Sequence, residues 1–121
     1  MVDDILLKML VWVGSSRKDF CTFPAEVQSR MGFGLFLAQS GDRHIKTKIM
    51  KGAGPGVIEI LQDHNGDTFR TIYTVRFASG VYVLHAFQKK SKSGVSTPRS
   101  DIELMMQRLR RAQEIDREQT S

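Results

Sequence analysis

Residues 68–77, Thr-Phe-Arg-Thr-Ile-Tyr-Thr-Val-Arg-Phe, alternate with the period of an extended strand. Such a strand places Thr68, Arg70, Ile72, Thr74 and Arg76 on one face and Phe69, Thr71, Tyr73, Val75 and Phe77 on the other. Two guanidiniums on an open sheet face would grip phosphodiesters through paired N–H donors. The same pattern also fits an ordinary exposed face, with Arg stems lying over apolar surface. Tyr73, grouped with Phe69 and Phe77, is expected in the core with its hydroxyl hydrogen-bonded. Two further groups of cations stand without an intervening acid: Lys89-Lys90-Ser-Lys92 with Arg99, and Arg43-His44-Ile-Lys46-Thr-Lys48 continuing to Lys51. Placed as loops near a sheet end they would neutralise phosphates with an affinity that falls as salt rises; as plain solvated loops they would do nothing specific.

Other reactive residues are scattered. His85 alternates with Val81, Val83 and Phe87, as a core or boundary histidine does, and a catalytic ring stands as the other reading. His44 and His64 have no partner at ligand spacing, and the chain has one Cys and no H-x-x-x-H, so no metal is predicted. Gly52-Ala-Gly-Pro-Gly56 lacks the Gly-Lys-Ser/Thr of a phosphate-binding loop, and Pro55 removes an amide, which leaves a turn. Ser15, Ser16 and Ser79 sit in no nucleophile-elbow context.

The elements that must position these residues follow from the rest of the chain. Its 121 residues, 40% hydrophobic with Phe 7, Trp 1 and Tyr 2, suffice for one core and would crowd two. Eighteen basic against 13 acidic side chains give +5, which favours RNA, DNA or an acidic protein as partner. Residues 1–88 hold 10 bases and 8 acids and residues 89–121 hold 8 and 5, so the excess is local. Lone Cys21 excludes an internal disulfide and suits a reducing compartment, and Asp3 and Asp4, standing where a secretory leader is basic, argue for the cytoplasm over secretion or membrane insertion.

Met9–Val13, ended by Gly14, reads as a buried strand. Ser16-Arg-Lys-Asp19 has capping-box spacing and opens a short helix to about Phe23. A second helix begins at Pro24 and runs to Gly41 on the stripe Val27, Met31, Leu35 and Ala38, with Gly32 and Gly34 marking either a place where another backbone packs closely or an irregular turn. Val57–Leu61, Thr68–Phe77 and Val81–Gln88 form two hairpins through Asn65-Gly66 and Ser79-Gly80. Thr97 as cap and Pro98 as first residue open a terminal helix with the stripe Ile102, Met105, Met106, Leu109 and Ala112. The result is an α+β two-layer domain, β-α-α-β-β-β-α, whose antiparallel meander and first strand share a sheet. It occupies residues 9–115, between an N-terminal extension, 1–8, and a fraying tail, 116–121.

Several stretches carry a family resemblance: Leu10-Val-Trp-Val-Gly-Ser-Ser16, Phe23-Pro-Ala-Glu26, residues 68–77, and Val83-Leu-His-Ala-Phe-Gln-Lys-Lys-Ser-Lys92 with Thr97-Pro98 and the helix after it. Over residues 10–112 the chain resembles the phage-derived HigB-like branch of the RelE/ParE toxin superfamily. The resemblance implies a RelE-like fold and ribosome-dependent cleavage of messenger RNA. It also implies neutralisation by an antitoxin, commonly a small helix-turn-helix protein encoded beside it. Members of the superfamily also act on DNA gyrase, and a non-enzymatic RNA-binding or regulatory module of this fold is the other alternative.

RNA cleavage by the ribose 2′-hydroxyl needs a base, an acid for the leaving 5′-oxygen and cations for the phosphorane. Arg70, Tyr73, Arg76, Phe87, Lys89 and Lys90 fall on the family's recurring basic and aromatic positions. The catalytic candidates are therefore Arg70, Arg76, Lys89 and Lys90, on which the resemblance and the chemistry agree, with the arginines as clamps and Lys89, Lys90, Lys48 or Lys51 as base, and His85, which the chemistry alone adds as acid or base if it reaches the surface. Lys48, Lys51, Tyr73, Lys92 and Arg99 are the RNA-binding candidates. No cofactor is expected.

Overall fold

In a computed structural model, residues 7–89 and 97–120 are described. The elements run β1 Leu10–Trp12, α1 Ser16–Phe20, α2 Ala25–Gln39, β2 Thr47–Ile49, β3 Val57–His64, β4 Asp67–Thr74, β5 Val81–Lys89 and α3 Arg99–Thr120. β3, β4 and β5 form the expected antiparallel meander. The β3–β4 turn uses Asn65 and Gly66, both at positive φ, the backbone that a two-residue hairpin of matching twist requires. β1 joins the same sheet parallel to β5, and β2 adds a short antiparallel edge on β3, giving the order β1-β5-β4-β3-β2. β2 lies in the basic stretch 43–51, read from the sequence as a loop, although Ile45, Thr47 and Ile49 alternate there with Lys46 and Lys48 as a strand requires.

The expected two layers become three, because helices cover both faces of the sheet. On one face α1 and α2 bury Phe20, Val27, Met31 and Leu35 against Ile58, Ile60, Phe69, Tyr73 and Val83. On the other, Met105, Leu109 and Ala112 of α3 pack against Val57, Ile72, Tyr82 and Leu84. Residues 69–74 are accordingly buried on both sides, and the period-two pattern of β4 sorts them between two cores rather than between core and water. Each large apolar side chain so buried stabilises by about 1.5–3 kcal/mol.

Helix boundaries differ in detail from the reading of the sequence. Ser15, not Ser16, precedes α1, and its hydroxyl donates to Asp19 Oδ2 at 2.8 Å, while Ser16 is buried and donates to the Val83 carbonyl. Pro24 is the residue before α2. A Cβ on Gly34 would come 3.1 Å from Ile60 Cδ1, so a strand side chain rather than a backbone needs the space there, and Gly32 has nothing within 4 Å. α3 continues to Thr120 through the stretch expected to fray; Asp116 accepts a hydrogen bond from the Ser79 amide at 3.0 Å.

One irregularity changes the side-chain phase. Ile72 pairs with His85 but Tyr73 pairs with Val83, so Leu84 is an extra residue in β5. Leu84 packs in the α3-side core and His85 next to it bonds to α3, so His85 leaves the Val81–Val83 face to which strict alternation assigned it. Arg108 of α3 donates to the carbonyl of this bulge at 3.0 Å and to Ser15 Oγ at 2.7 Å.

Candidate functional site

β2, β3, β4 and β5 place one row of charged residues on the α3-facing side of the sheet. Directly paired residues share a face, and the pairs Lys48↔Glu59, Leu61↔Arg70, Arg70↔Phe87 and Thr68↔Lys89 carry the row across four strands. Its centre is Glu59, a fully buried carboxylate inside the apolar run Val57–Leu61. Glu59 Oε1 accepts from Arg70 Nη1 at 3.1 Å and lies 3.4 Å from Lys48 Nζ, and Oε2 accepts from Thr97 Oγ1 at 3.1 Å. A carboxylate withdrawn from water is costly unless paired, and here two cations and a hydroxyl compensate it. Arg70 is 4% exposed, so its guanidinium is held rather than free to sample solvent.

Lys89 closes the row. It is 7% exposed, and burial pushes its ammonium below the ordinary lysine range, helped by the charges of Arg70 and Lys48 and opposed by Glu59. Among the described residues, Lys48, Arg70 and Lys89 thus stand as three cations beside the carboxylate of Glu59, an arrangement suited to an anion. Arg stays protonated under these conditions while Lys can approach neutrality, which separates their chemical uses.

His85 lies on the same side. Its Nε2 donates to Asp101 Oδ1 at 2.7 Å, since a carboxylate only accepts, and its ring stacks on Phe87 with centroids 4.6 Å apart. The ring is buried, and Nδ1 has no hydrogen-bond partner among the described residues. This geometry fixes the start of α3 on β5, and it turns the ring's one bonded nitrogen toward the protein itself.

The remaining sequence-derived candidates are dispersed. Arg76 follows the end of β4 and donates from Nε to Pro55 O at 2.8 Å and from Nη2 to Ala53 O, so it latches the 52–56 turn instead of joining Arg70. Strict alternation placed the two together; the strand ends at Thr74, and beyond it the phase is lost. Phe77 for the same reason packs with Tyr82 on the α3 side rather than with Phe69 and Tyr73. Gly54, at φ +83, admits the latch, since a Cβ there would meet Arg76 Nη2.

Tyr73 is fully buried on the α2 side, away from the charged row, so it cannot stack on a base there. Its hydroxyl has no hydrogen-bond partner among the described residues, contrary to expectation, and burial raises its pKa to about 12 against the lowering effect of Arg43. Lys51 is exposed in the turn after β2, and Arg99 is exposed at the start of α3, paired with Glu103 at 3.0 Å. Lys90 and Lys92 lie outside the described residues. Among the described residues no group of three or more His, Cys, Asp or Glu could hold a metal ion, and no helix is long and apolar enough to cross a membrane.

The sequence reading missed Glu59 and Asp101. The signal for Glu59 was present: a lone acid at the centre of an apolar strand must find partners or not be buried at all. Asp101 gave no comparable signal, because an acid in a first helical turn is ordinary.

Compared with protein families, residues 18–110 match the one described as "Phage derived protein Gp49-like". Comparison with curated proteins and with solved structures gave no match.

Proposed function

The chain belongs to the Gp49-like family of phage-derived proteins, and from that premise we propose that it is the toxin of a toxin–antitoxin pair, of RelE type and HigB-like branch, cleaving translated messenger RNA on the ribosome in the cytoplasm. The observation that carries this reading is the gathering of Lys48, Arg70 and Lys89 on one sheet face around buried Glu59.

In that reaction the 2′-oxygen attacks phosphorus, the bond to the 5′-oxygen breaks, and the products are a 2′,3′-cyclic phosphate and a 5′-hydroxyl. Lys89, whose pKa burial lowers, takes the proton of the 2′-hydroxyl. Arg70, permanently charged and fixed by Glu59, lies against the equatorial oxygens of the phosphorane. A second lysine, Lys48 or Lys90, supplies the proton to the 5′-oxygen. Lys51, Lys92 and Arg99 hold flanking phosphates, and His85 with Asp101 keeps α3 in place beside the site. A cognate antitoxin, a small helix-turn-helix protein, restrains the activity in its producer.

Inducing the chain in bacteria and mapping RNA ends tests the proposal. Growth should stop with new 5′-hydroxyl ends in translated messages at codon-related positions, and Arg70→Ala, if it stays folded, should lose at least about 100-fold in cleavage. Arrest with intact messages would overturn it, and arrest with DNA-damage signalling would direct attention to gyrase.

A further inference from the structure

The sheet edge opposite β1 combines three features. First, β2 is an edge strand, and no described strand pairs with its outer side. The amide of Leu61 donates to Lys46 O and that of Met50 to Val57 O, so in an antiparallel ladder Lys46, Lys48 and Met50 bond inward. The N–H and C=O groups of Thr47 and Ile49 consequently face outward. Second, the side chains split by face. Ile49 pairs with Ile58 and so lies on the α2 side, where it is 59% exposed. Beside it the turn into β2 carries Ile45, 92% exposed, and His44, whose ring meets exposed Phe33 edge-on at 5.9 Å, with Phe33 stacked on exposed Phe36 at 6.4 Å. Third, Lys46 and Lys48 lie on the opposite face, with Lys51 just beyond, and residues 43–51 contain no acid.

We propose that this edge receives an extended segment of a partner protein, added to the sheet as a sixth strand alongside β2. Period-two alternation defines the segment: apolar side chains on one face meet Ile49, Ile45 and Phe33, and acidic side chains on the other meet Lys46, Lys48 and Lys51. Main-chain bonds to Thr47 and Ile49 supply the register. The exposed aliphatic side chains favour a protein over a nucleic acid, because stacking of bases uses aromatic faces and draws nothing from Ile45 or Ile49. The toxin reading enters only in suggesting the antitoxin as the source of such a segment; the edge and its chemistry stand without it.

The probe is a fluorescent seven-residue peptide of alternating glutamate and valine. Controls are the lysine–valine counterpart and a peptide of the same composition with its glutamates and valines in blocks. Binding is read by anisotropy, and its location by amide exchange on the full chain. The glutamate–valine peptide should bind with slowed exchange at Thr47 and Ile49, and added salt should weaken it. Ile49→Glu should weaken binding at least tenfold. Thr47→Pro, which removes the outward-facing N–H together with the hydroxyl bond from Thr47 Oγ1 to the His44 carbonyl, should abolish it with the β2–β3 bonds intact, and Thr47→Val, which loses only the hydroxyl, should bind as wild type does. Growth arrest and RNA cleavage by Ile49→Glu should match wild type, so failure of the edge and failure of the nuclease reading are separable. Equal binding by either control, protection at another strand, displacement by single-stranded RNA, or unchanged affinity in both variants would overturn the proposal.

Discussion

Replacing Glu59 by Gln keeps its shape and removes its charge. Arg70, 4% exposed, then loses the carboxylate 3.1 Å from its Nη1. Removing one partner of a buried charge pair costs about 3–5 kcal/mol. Lys48 adds less than about 1 kcal/mol, since its side chain is 44% exposed and water screens it. The Thr97 bond can survive on the amide oxygen. For a domain of this size the loss lowers Tm by roughly 10–20 °C. Chemical denaturation of the single variants and of Glu59→Leu with Arg70→Met measures the coupling. Removing both charges should restore most of the loss, with an interaction energy of about 2 kcal/mol or more. A second signature concerns Lys89: Glu59 holds its pKa up against burial, so Glu59→Gln should move it further down in an NMR titration of the side chain. A cost below about 1 kcal/mol for Glu59→Gln, a double variant no more stable than Glu59→Leu alone, or an upward movement of Lys89 would refute the assignment of Glu59 as the anchor of the row.

Tyr73→Phe removes a buried hydroxyl that has no partner among the described residues and should stabilise by about 1 kcal/mol. The folded Tyr73 keeps its proton to about 12 against 10.0 unfolded, so its contribution is complete below pH 10 and is lost as pH rises toward 12. Denaturation across this range should show a flatter alkaline decline in the variant. Lys89 has the opposite sign: with its folded pKa lowered, the unfolded chain binds more protons, and stability from this group rises with pH up to 10.5. Lys89→Met should remove that rise, which paired denaturation curves from pH 7 upward will report. Arg76→Ala should free the 52–56 turn from its two carbonyl bonds, seen as faster amide exchange at Gly54 and Gly56 and a loss of about 2–3 kcal/mol.

The readable parts of this molecule are those in which a local rule and the tertiary structure agree. Alternation and the Asn65-Gly66 turn specified the meander because turn backbone and strand twist are both local properties. They also placed Arg70 and Lys89 on strands where cross-strand pairing could unite them. The same rule failed wherever a strand stopped or slipped. Arg76 was assigned to the Arg70 face by counting in twos past Thr74, and His85 to the Val81 face by counting through the extra residue Leu84. Neither interruption has a marker of its own: Leu84 is a good strand residue, and what stabilises the bulge is Arg108, 24 positions away, donating to its carbonyl. The third layer was hidden for a related reason. β4 displays polar residues on the face that α3 covers, and only pairing makes that tolerable: Arg70 with Glu59, and Thr74 with the Gly56 carbonyl. An alternating strand therefore looks one-sided in sequence while being buried on both sides in the fold. A charge within such a strand implies an opposite charge on its neighbour, so Glu59 at the centre of an apolar run points to Arg70 on the adjoining strand of the meander, whereas Lys48 becomes its partner only through β2, a strand where the sequence reads as a loop.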